Sequence, residues 1–422
     1  MAFEEYAQFV GEETIERIWK KARPLHDREV VHMSSTYYGG GVATMLAPLS
    51  ILMNNLEIKT EWRIIQGNPD FFAFTKSVHN AIQGAEIELL EHPKWVYEQV
   101  NRENAVRNHL HHDFVVVHDP QPLPLIESYP QSRPWIWRCH IDLTSPNMAL
   151  WKYLRRFIDQ YQAVIVSIPD YEQDIHPPQF FFMPAIDPFS MTNVPLGEEH
   201  IDAILAKYNI PTDLPLVAQV SRFDRWKDPN GVIEAFRIAQ RDVDATLVLV
   251  GAPATDDPEG QAIYESLLSQ QSERILIIHQ ENSLLVNALQ RRAAVVLQKS
   301  LREGFGLTVA EAMWKGTPVI GGKVGGIRYQ IRDGINGYLV ASTTEAAGRI
   351  VQLLKDDGLR ARMGEAARET VRRKFLLTRL LEQYIDLLNS FEVHFHVREN
   401  HQIEQAMLEP DPEVEAIARP HK

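Results

Sequence analysis

The chain has 422 residues and a formal net charge of -13, with 43 basic against 56 acidic side chains. This acidic balance argues against a nucleic-acid or anionic-membrane surface, but it is compatible with a local basic site for one anionic ligand. The single cysteine, Cys139, excludes an internal disulfide and a cysteine-based metal site. The N-terminal stretch is acidic and amphipathic, and no apolar run approaches the roughly 18 residues of a membrane span. We therefore expect a cytoplasmic protein.

Strand-like apolar runs alternate with helical patterns in the first half of the chain. The alternation predicts a mostly parallel sheet that is covered on both faces. A proline-rich stretch, residues 181–199, follows and is interpreted as the interdomain linker. The predicted strands are residues 30–33, 61–67, 113–119, 134–142 and 163–169, and the helices are 42–56, 73–84 and 93–108.

The same alternation begins again after the linker and ends in a helix-rich tail from about residue 344. The sequence therefore predicts an α/β protein with two doubly wound, Rossmann-like domains that face a cleft. Ligands of such sheets bind at the C-terminal ends of the strands, near helix N-termini. The predicted strands are residues 214–221, 245–251, 275–280, 294–300, 317–322 and 337–340.

Two motifs at predicted strand ends suit an anionic ligand. The glycine run Gly39–Gly41 stands between a strand and a helix, where backbone N–H groups favour a phosphate or a sugar. It is not a dinucleotide fingerprint, and a flexible turn is the alternative. Arg222 and Lys227 follow another strand and are able to clamp a diphosphate, Arg as a bidentate fork and Lys as a point charge. A solvated loop is the alternative for that pair.

Asp119 and His140 also follow predicted strands and should point into the cleft from the N-terminal domain. A carboxylate there is able to orient a sugar hydroxyl or accept its proton, and the imidazole is able to hydrogen-bond a second hydroxyl. A lone histidine is more often structural, so both interpretations of His140 stay open.

Two glutamates, Glu303 and Glu311, bracket a Gly-Phe-Gly turn that runs into a helical pattern. One interpretation of Glu311 is a capping box, with Thr308 at the N-cap and the glutamate three residues later. Capping does not explain the glycines of residues 304–306, which let backbone N–H groups face a ligand closely. Ionised glutamates accept hydrogen bonds from neighbouring sugar hydroxyls. The two roles of Glu311 are compatible.

Together these motifs resemble the retaining, nucleotide-sugar-dependent glycosyltransferases of the GT-B fold, in the group of glycogen, sucrose and trehalose synthases. The paired-glutamate motif matches Glu303 and Glu311, and the diphosphate clamp matches Arg222 and Lys227. The resemblance covers nearly the whole chain, with the motifs in the family's order. It implies an N-terminal acceptor-side domain over residues 1–190, joined by a C-terminal helix at about 380–422. The nucleotide-sugar domain would cover residues 200–379.

The resemblance also implies the role of each donor-side residue. Glu311 would bind the ribose hydroxyls, and Glu303 the 3- and 4-hydroxyls of the hexose. Arg222 and Lys227 would neutralise the leaving diphosphate, and His140 would contact the donor 6-hydroxyl. Further donor contacts would come from Gly40, Gly41, Gly304, Phe305, Gly306 and Leu307.

On the acceptor side, the resemblance implies contacts from Tyr37, Asp119 and Arg138. Asp119 would orient the acceptor rather than form a glycosyl-enzyme. The implied reaction is front-face substitution with retention, and it requires no metal cofactor. A non-essential divalent cation and a homodimer remain open. Asp119, His140, Arg222, Lys227 and Glu303 would be the catalytic residues.

Residues 135–147, 118–125 and 35–43 are most similar to the glycosyltransferring trehalose synthases, which join a nucleoside-diphosphate glucose to free glucose and give α,α-trehalose. Many relatives have glycine where this chain has Val220, so the preference for UDP- or ADP-glucose stays open. A retaining trehalose phosphorylase that uses glucose 1-phosphate is the nearest alternative. A catalytically silent sugar-nucleotide-binding protein is an alternative from another class.

Overall fold

The computed structural model describes residues 2–37, 40–130, 132–251, 258–392 and 411–418. The chain divides into two compact units. The first unit is Met1–Pro184 with Leu377–Met407, and the second is Ala185–Leu376 with Leu408–Lys422. Within the described ranges, every helix is too short or too polar to cross a membrane.

The first unit is built on a six-stranded parallel sheet with the order β2-β1-β3-β4-β5-β6. Five of its strands were predicted. The sixth, β6, was not predicted, because a strand of three residues is too short to show a pattern, and only its last residue, Phe181, falls in the predicted linker. The strands are β1 (Glu29–Ser34), β2 (Lys59–Ile64), β3 (Phe114–His118), β4 (Trp135–Arg138), β5 (Ala163–Val166) and β6 (Gln179–Phe181).

Helices cover the first sheet, and their apolar faces account for its burial. All five side chains of β3 are buried, as is typical of a parallel strand covered on both faces. The C-terminal helix α15 packs against α2, and Arg17 donates to Glu382 across that contact at 2.8 Å. The helices are α1 (Ala7–Val10), α2 (Glu12–Ala22), α3 (Gly40–Asn55), α4 (Pro69–Ile82), α5 (Glu91–Asn108), α6 (Met148–Ile158) and α15 (Leu377–Glu392).

The second unit has a parallel sheet with the order β12-β11-β10-β7-β8-β9, which is the Rossmann order. Both sheets confirm the predicted α/β class. The strands are β7 (Leu216–Val220), β8 (Thr246–Gly251), β9 (Ile275–His279), β10 (Ala293–Gln298), β11 (Val319–Gly322) and β12 (Gly337–Val340). The helices are α7 (Glu198–Lys207), α8 (Pro229–Ala239), α9 (Pro258–Leu268), α10 (Ser283–Arg292), α11 (Leu307–Trp314), α12 (Ile327–Gln330), α13 (Thr343–Lys355), α14 (Asp357–Lys374) and α16 (Pro412–Ala418).

The strand order places a topological switch point in each unit. In the first unit β1 lies between β2 and β3, and in the second unit β7 lies between β8 and β10. In the first unit the connections that leave the neighbouring strands β1 and β3 run in opposite directions, and in the second unit those that leave β7 and β10 do the same. A crevice opens at the C-terminal ends of such a pair of strands. A ligand site is therefore expected in the loops after β1 and β3, and in those after β7 and β10.

Candidate active site

The loops after β7 and β10 bring two predicted site residues together. Lys227 follows β7 and Glu303 follows β10, 76 positions later in the chain. The Nζ atom of Lys227 donates to Oε2 of Glu303 at 2.6 Å, and the two side chains are 17 % and 9 % exposed. A cation and a carboxylate thus lie side by side at the switch point of the second unit.

Other side chains fix the Glu303 carboxylate in place. The hydroxyl of Ser300 donates to Oε2 at 3.1 Å, and the amide of Gln298 donates to the same atom at 3.4 Å. Together with Lys227, these two donors fix the orientation of the Glu303 carboxylate.

Arg222 is half exposed, and its Nη2 atom lies 3.6 Å from Oδ2 of Asp224. The other oxygen of Asp224 accepts hydrogen bonds from the backbone N–H groups of Trp226 and Lys227, at 2.9 and 3.1 Å. Asp224 thereby orders the loop that carries both predicted clamp residues. Asp224 was not predicted, although an aspartate directly before a short helical turn is a common capping signal.

A second cation–carboxylate pair joins the same two loops. Lys299, which follows β10, contacts Asp228, which follows β7. Asp228 also caps α8 by accepting from the N–H of Gly231 at 3.1 Å. A Cβ atom on Gly231 would lie 2.1 Å from Oδ2 of Asp228, so the close approach requires glycine. This pair depends on the neighbouring positions of β7 and β10 and was not visible in the sequence.

The glycine loop after Glu303 turns directly into α11. Gly306 is the N-cap residue with a φ of 84°, a left-handed conformation that glycine adopts easily. The predicted capping box is therefore wrong, since Thr308 lies inside the helix and donates to Oε1 of Gln298 at 3.3 Å. The helix begins at Leu307 because Gly306 completes the turn before it.

The main chain of this loop is the part that a ligand can contact. Phe305 is only 4 % exposed, and its ring packs edge-on against Phe375 with the centroids 5.6 Å apart. The side-chain amide of Gln330 donates to the backbone oxygen of Phe305 at 2.6 Å and so stabilises the turn. Gly304, Gly306 and Leu307 are partly exposed, and the N-terminus of α11 favours negative charge.

Glu311 lies one turn into α11 and is 8 % exposed. Burial raises the pKa of its carboxyl, and the nearby Lys315 ammonium opposes that shift. Lys315 donates to the backbone oxygen of Glu311 at 3.0 Å and to side-chain oxygens of Gln290 and Asn193, both at 2.9 Å. Burial lowers the pKa of Lys315. Lys315 was not predicted, and its helical spacing from Glu311 was the available signal.

In the first unit the structure brings Asp119 and His140 together. Asp119 directly follows β3 with a φ of 63°, and its Oδ1 atom accepts from the backbone N–H of His140 at 2.8 Å. The surrounding protein removes the carboxyl from most of its solvent and raises the pKa of Asp119 to about 7. Both residues remain partly exposed. Asp119 is thus able to gain or lose a proton near neutral pH.

Arg138 departs from its predicted role as a direct acceptor contact. Its side chain is fully buried, donates to the backbone oxygen of Phe182 and lies over the ring of that residue. The reason is the position of β4 inside the sheet: it lies between β3 and β5, Arg138 is paired with His118 of β3, and all four side chains of the strand are buried. A sugar could not reach the guanidinium without displacing the core.

The remaining predicted residues lie around the end of β1. Tyr37 is 41 % exposed, and its hydroxyl donates to the backbone oxygen of Trp62 at 2.9 Å. Gly40 and Gly41 form the first turn of α3, while Gly39 lies outside the described residues. The polar residues missed here are His32 and His118, which connect through their rings to His140. Their contact depends on sheet register rather than on spacing.

Comparisons with known proteins identify a family for each half of the chain. The family model described as "Trehalose synthase, N-terminal domain" matches residues 32–173, and the model "Glycosyl transferases group 1" matches residues 200–370. The chain is 44% identical to the trehalose synthase of Pyrococcus horikoshii over 92% of this chain and 96% of that protein. It is 38% identical to that of Rubrobacter xylanophilus, over 92% and 96%. The trehalose phosphorylase of Pleurotus pulmonarius is 28% identical, over 87% of this chain and 58% of that protein.

Solved structures agree at the level of the fold. An α,α-trehalose 6-phosphate synthase from Burkholderia multivorans superimposes with a TM-score of 0.67 at 17% identity, over 86% of this chain and 99% of that chain. A sucrose-phosphate synthase from Thermosynechococcus elongatus gives the same TM-score at 18% identity, over 87% and 100%. These likenesses confirm the predicted GT-B fold. The relatives and the two family models further show that the chain belongs to the trehalose synthase family of glycosyltransferases.

Proposed function

We propose that this glycosyltransferase moves glucose reversibly from a nucleoside-diphosphate glucose, UDP- or ADP-glucose, to free glucose, giving α,α-trehalose with retention of configuration. The observation that carries the proposal is the Lys227–Glu303 pair, with Arg222 on the same loop. A nucleotide sugar joins an anionic diphosphate to a hydroxyl-rich hexose, and a cation beside a carboxylate suits those two parts. The trehalose synthase relatives support trehalose as the product.

The donor would be bound by the second unit. Arg222 and Lys227 bind the diphosphate, with Lys227 exchanging its contact with Glu303 for one with phosphate oxygens. Glu303 then accepts hydrogen bonds from the 3- and 4-hydroxyls of the hexose. Glu311 binds the ribose hydroxyls. Main-chain contacts to the donor come from Gly304, Phe305, Gly306 and Leu307, and from Gly40 and Gly41 of the first unit.

The acceptor glucose would be bound mainly by the first unit. Asp119 orients the attacking hydroxyl, Tyr37 contributes a contact at the end of β1, and His140 contacts the donor 6-hydroxyl. Arg138 acts from its buried position, where its charge lies close enough to Asp119 to oppose the raised pKa of that carboxyl. Its part is electrostatic.

The chemical step would be a front-face substitution. The bond between C1 of the donor glucose and the phosphate oxygen breaks with its electron pair on the phosphate. The C1–O bond to the acceptor forms on the same face, and the acceptor's proton passes to the leaving phosphate. Arg222 and Lys227 stabilise the charge that develops on that phosphate, and preorganised charge of this kind is usually the largest catalytic contribution. The step requires no metal ion; a non-essential divalent cation remains an expectation.

A retaining trehalose phosphorylase is the second candidate, because a protein with that name is 28% identical to the chain. In that reaction Arg222 and Lys227 would hold inorganic phosphate, and glucose 1-phosphate would be the donor. Both reactions use a cationic site beside a sugar site. The two reactions differ in their donor: the synthase requires a nucleotide sugar, whereas the phosphorylase does not.

Proton NMR of the full-length protein with glucose and each donor tests the proposal. We expect an α,α-1,1 disaccharide with UDP- or ADP-glucose and none with glucose 1-phosphate. Product from glucose 1-phosphate, with release of phosphate, would establish the phosphorylase instead. No disaccharide from any donor would refute the proposed acceptor. The Lys227→Ala variant serves as the control for turnover by a contaminating enzyme.

A further inference from the structure

Three histidine rings form a hydrogen-bonded chain in the first unit. Nδ1 of His32 lies 2.9 Å from Nε2 of His118, and Nδ1 of His118 lies 2.9 Å from Nε2 of His140. The residues stand on β1, at the end of β3 and just after β4, which are neighbours in the sheet. His32 and His118 are buried, whereas His140 is partly exposed. The chain therefore runs from the core to His140, the residue proposed to contact the donor 6-hydroxyl.

All three rings are neutral near pH 7. Burial lowers the pKa of His32 to about 3. Burial and the neighbouring Arg138 guanidinium hold the pKa values of His118 and His140 well below the usual range. A neutral imidazole has one N–H group and one lone pair, so each contact in the chain needs a donor on one side only. Two arrangements satisfy both contacts: every proton on Nδ1, or every proton on Nε2.

The buried end distinguishes the two arrangements. Nε2 of His32 is buried without a hydrogen-bond partner among the described residues, and the edge of the Tyr384 ring packs on this imidazole at 5.7 Å. Arg138, whose charge acts on the Tyr384 hydroxyl, has two buried N–H groups, at Nε and Nη1, that are likewise without partners. Unpaired buried N–H groups are rarer in proteins than acceptors with an unused lone pair. A proton on Nε2 of His32 would add another unpaired buried donor to those of Arg138, whereas a lone pair there would not.

The Nδ1 arrangement has a consequence at the exposed end. Nε2 of His140 then carries the lone pair and accepts from His118, while Nδ1 of His140 carries the proton. Among the described residues, that N–H has no hydrogen-bond partner. Nδ1 of His140 is therefore the atom of the chain that remains for a ligand.

We propose that His118 and His32 are positioning residues, which hold His140 as the Nδ1–H tautomer, so that His140 presents a donor to a sugar oxygen. The identity of that sugar rests on the proposed function. A neutral imidazole with its lone pair occupied by His118 cannot remove a proton from the acceptor. His140 then binds a hydroxyl but is not the general base, and deprotonation is left to the leaving phosphate.

The tautomer is measured directly on the full-length protein without substrate. Long-range proton–nitrogen correlation spectra of protein labelled with 15N-histidine distinguish Nδ1–H from Nε2–H rings. The His140 signal is assigned as the one that is missing in the His140→Gln variant. We expect a protonated Nδ1 and an unprotonated Nε2. An Nε2–H ring for His140 in the wild-type protein would overturn the proposal. Because no turnover is involved, this result stands even if the substrate is different from the one proposed.

Variants of His118 test its effect on the reaction. His118→Leu removes the donor to Nε2, so we expect His140 to redistribute between tautomers and kcat to fall about tenfold. The affinity for UDP alone should stay unchanged. His118→Asn keeps an amide donor near the former Nδ1 and should restore the Nδ1–H tautomer and part of the activity.

His112→Leu is the matched control, since His112 is also buried in the first unit but lies before β3 and outside the chain of rings. It should lower stability without changing the tautomer of His140. If His118→Leu, like His112→Leu, changes neither the tautomer of His140 nor kcat, the positioning role of His118 is refuted. If His118→Leu does not fold, the wild-type spectrum and the Asn variant still decide the question.

Discussion

The ammonium of Lys227 and the carboxylate of Glu303 are 2.6 Å apart, although the two residues belong to different loops at the switch point of the Rossmann-like second unit. Their contact joins the loop after β7 to the loop after β10. A donor that inserts between them would gain a cation for its diphosphate and a carboxylate for its hexose in one movement. The pair is therefore the first target for mutation.

Lys227→Ala should lower kcat/KM by about 10²–10³-fold, because it removes charge stabilisation from the leaving group. Steady-state kinetics with the nucleotide sugar measure this. Lys299→Ala is the matched control, since Lys299 also joins the two loops through a carboxylate but has no proposed contact with the donor. It should affect stability more than turnover. Near-wild-type turnover of Lys227→Ala would contradict the clamp.

The raised pKa of Asp119 predicts an unusual dependence of folding stability on pH. Its pKa of about 7 in the folded protein lies above the value of about 3.9 in an unfolded chain. Between these values the unfolded state binds fewer protons, so stability falls as the pH rises. Asp119→Asn lacks this effect. The melting temperature of this variant, relative to that of the wild type, should rise as the pH increases from 4 to 7. A difference in melting temperature that is constant over this range would refute the raised pKa of Asp119.

Gly306→Ala should cost about 1–2 kcal/mol of folding stability, because alanine resists the left-handed conformation at this position. It should also impair donor use, since the new Cβ would lie 3.2 Å from Cγ of Glu303. Gly334→Ala is the control: φ is 76° there, and nothing lies within 4 Å of the added atom. Chemical denaturation and donor KM together separate strain from site damage. Equal effects of both variants on KM would count against the site.

Lys315→Met should destabilise the protein by about 1–3 kcal/mol, because it leaves three oxygen acceptors without their donor inside the second unit. If Glu311 binds the ribose, the variant should also raise KM for the nucleotide more than it lowers kcat. Lys355→Met, at the exposed end of α13, should change neither. Urea denaturation and donor titrations give the two readouts. An unchanged stability would show that the buried lysine is not held as described.

The sequence predicted the sheets well because their apolar runs are long and regularly separated. It missed β6, whose three residues leave no periodicity to detect. It also missed contacts that depend on sheet register: Arg138 was expected to contact the acceptor, because the burial of β4 between its neighbouring strands cannot be read from its own residues. His32 and His118 were missed for the same reason. Thr308 was misassigned because the backbone angle of Gly306, rather than a side chain, decides where α11 begins.

The ion pairs of the β7 and β10 loops have a kinetic consequence. Arg222, Lys227 and Lys299 each lie beside a carboxylate, in a chain that is acidic as a whole. Long-range attraction of an anion needs a surplus of positive charge, and balanced pairs supply none beyond a Debye length of about 8 Å. Donor association should therefore vary little with ionic strength. The protein would recognise the donor only at contact distance, when the donor diphosphate competes with Glu303 for Lys227.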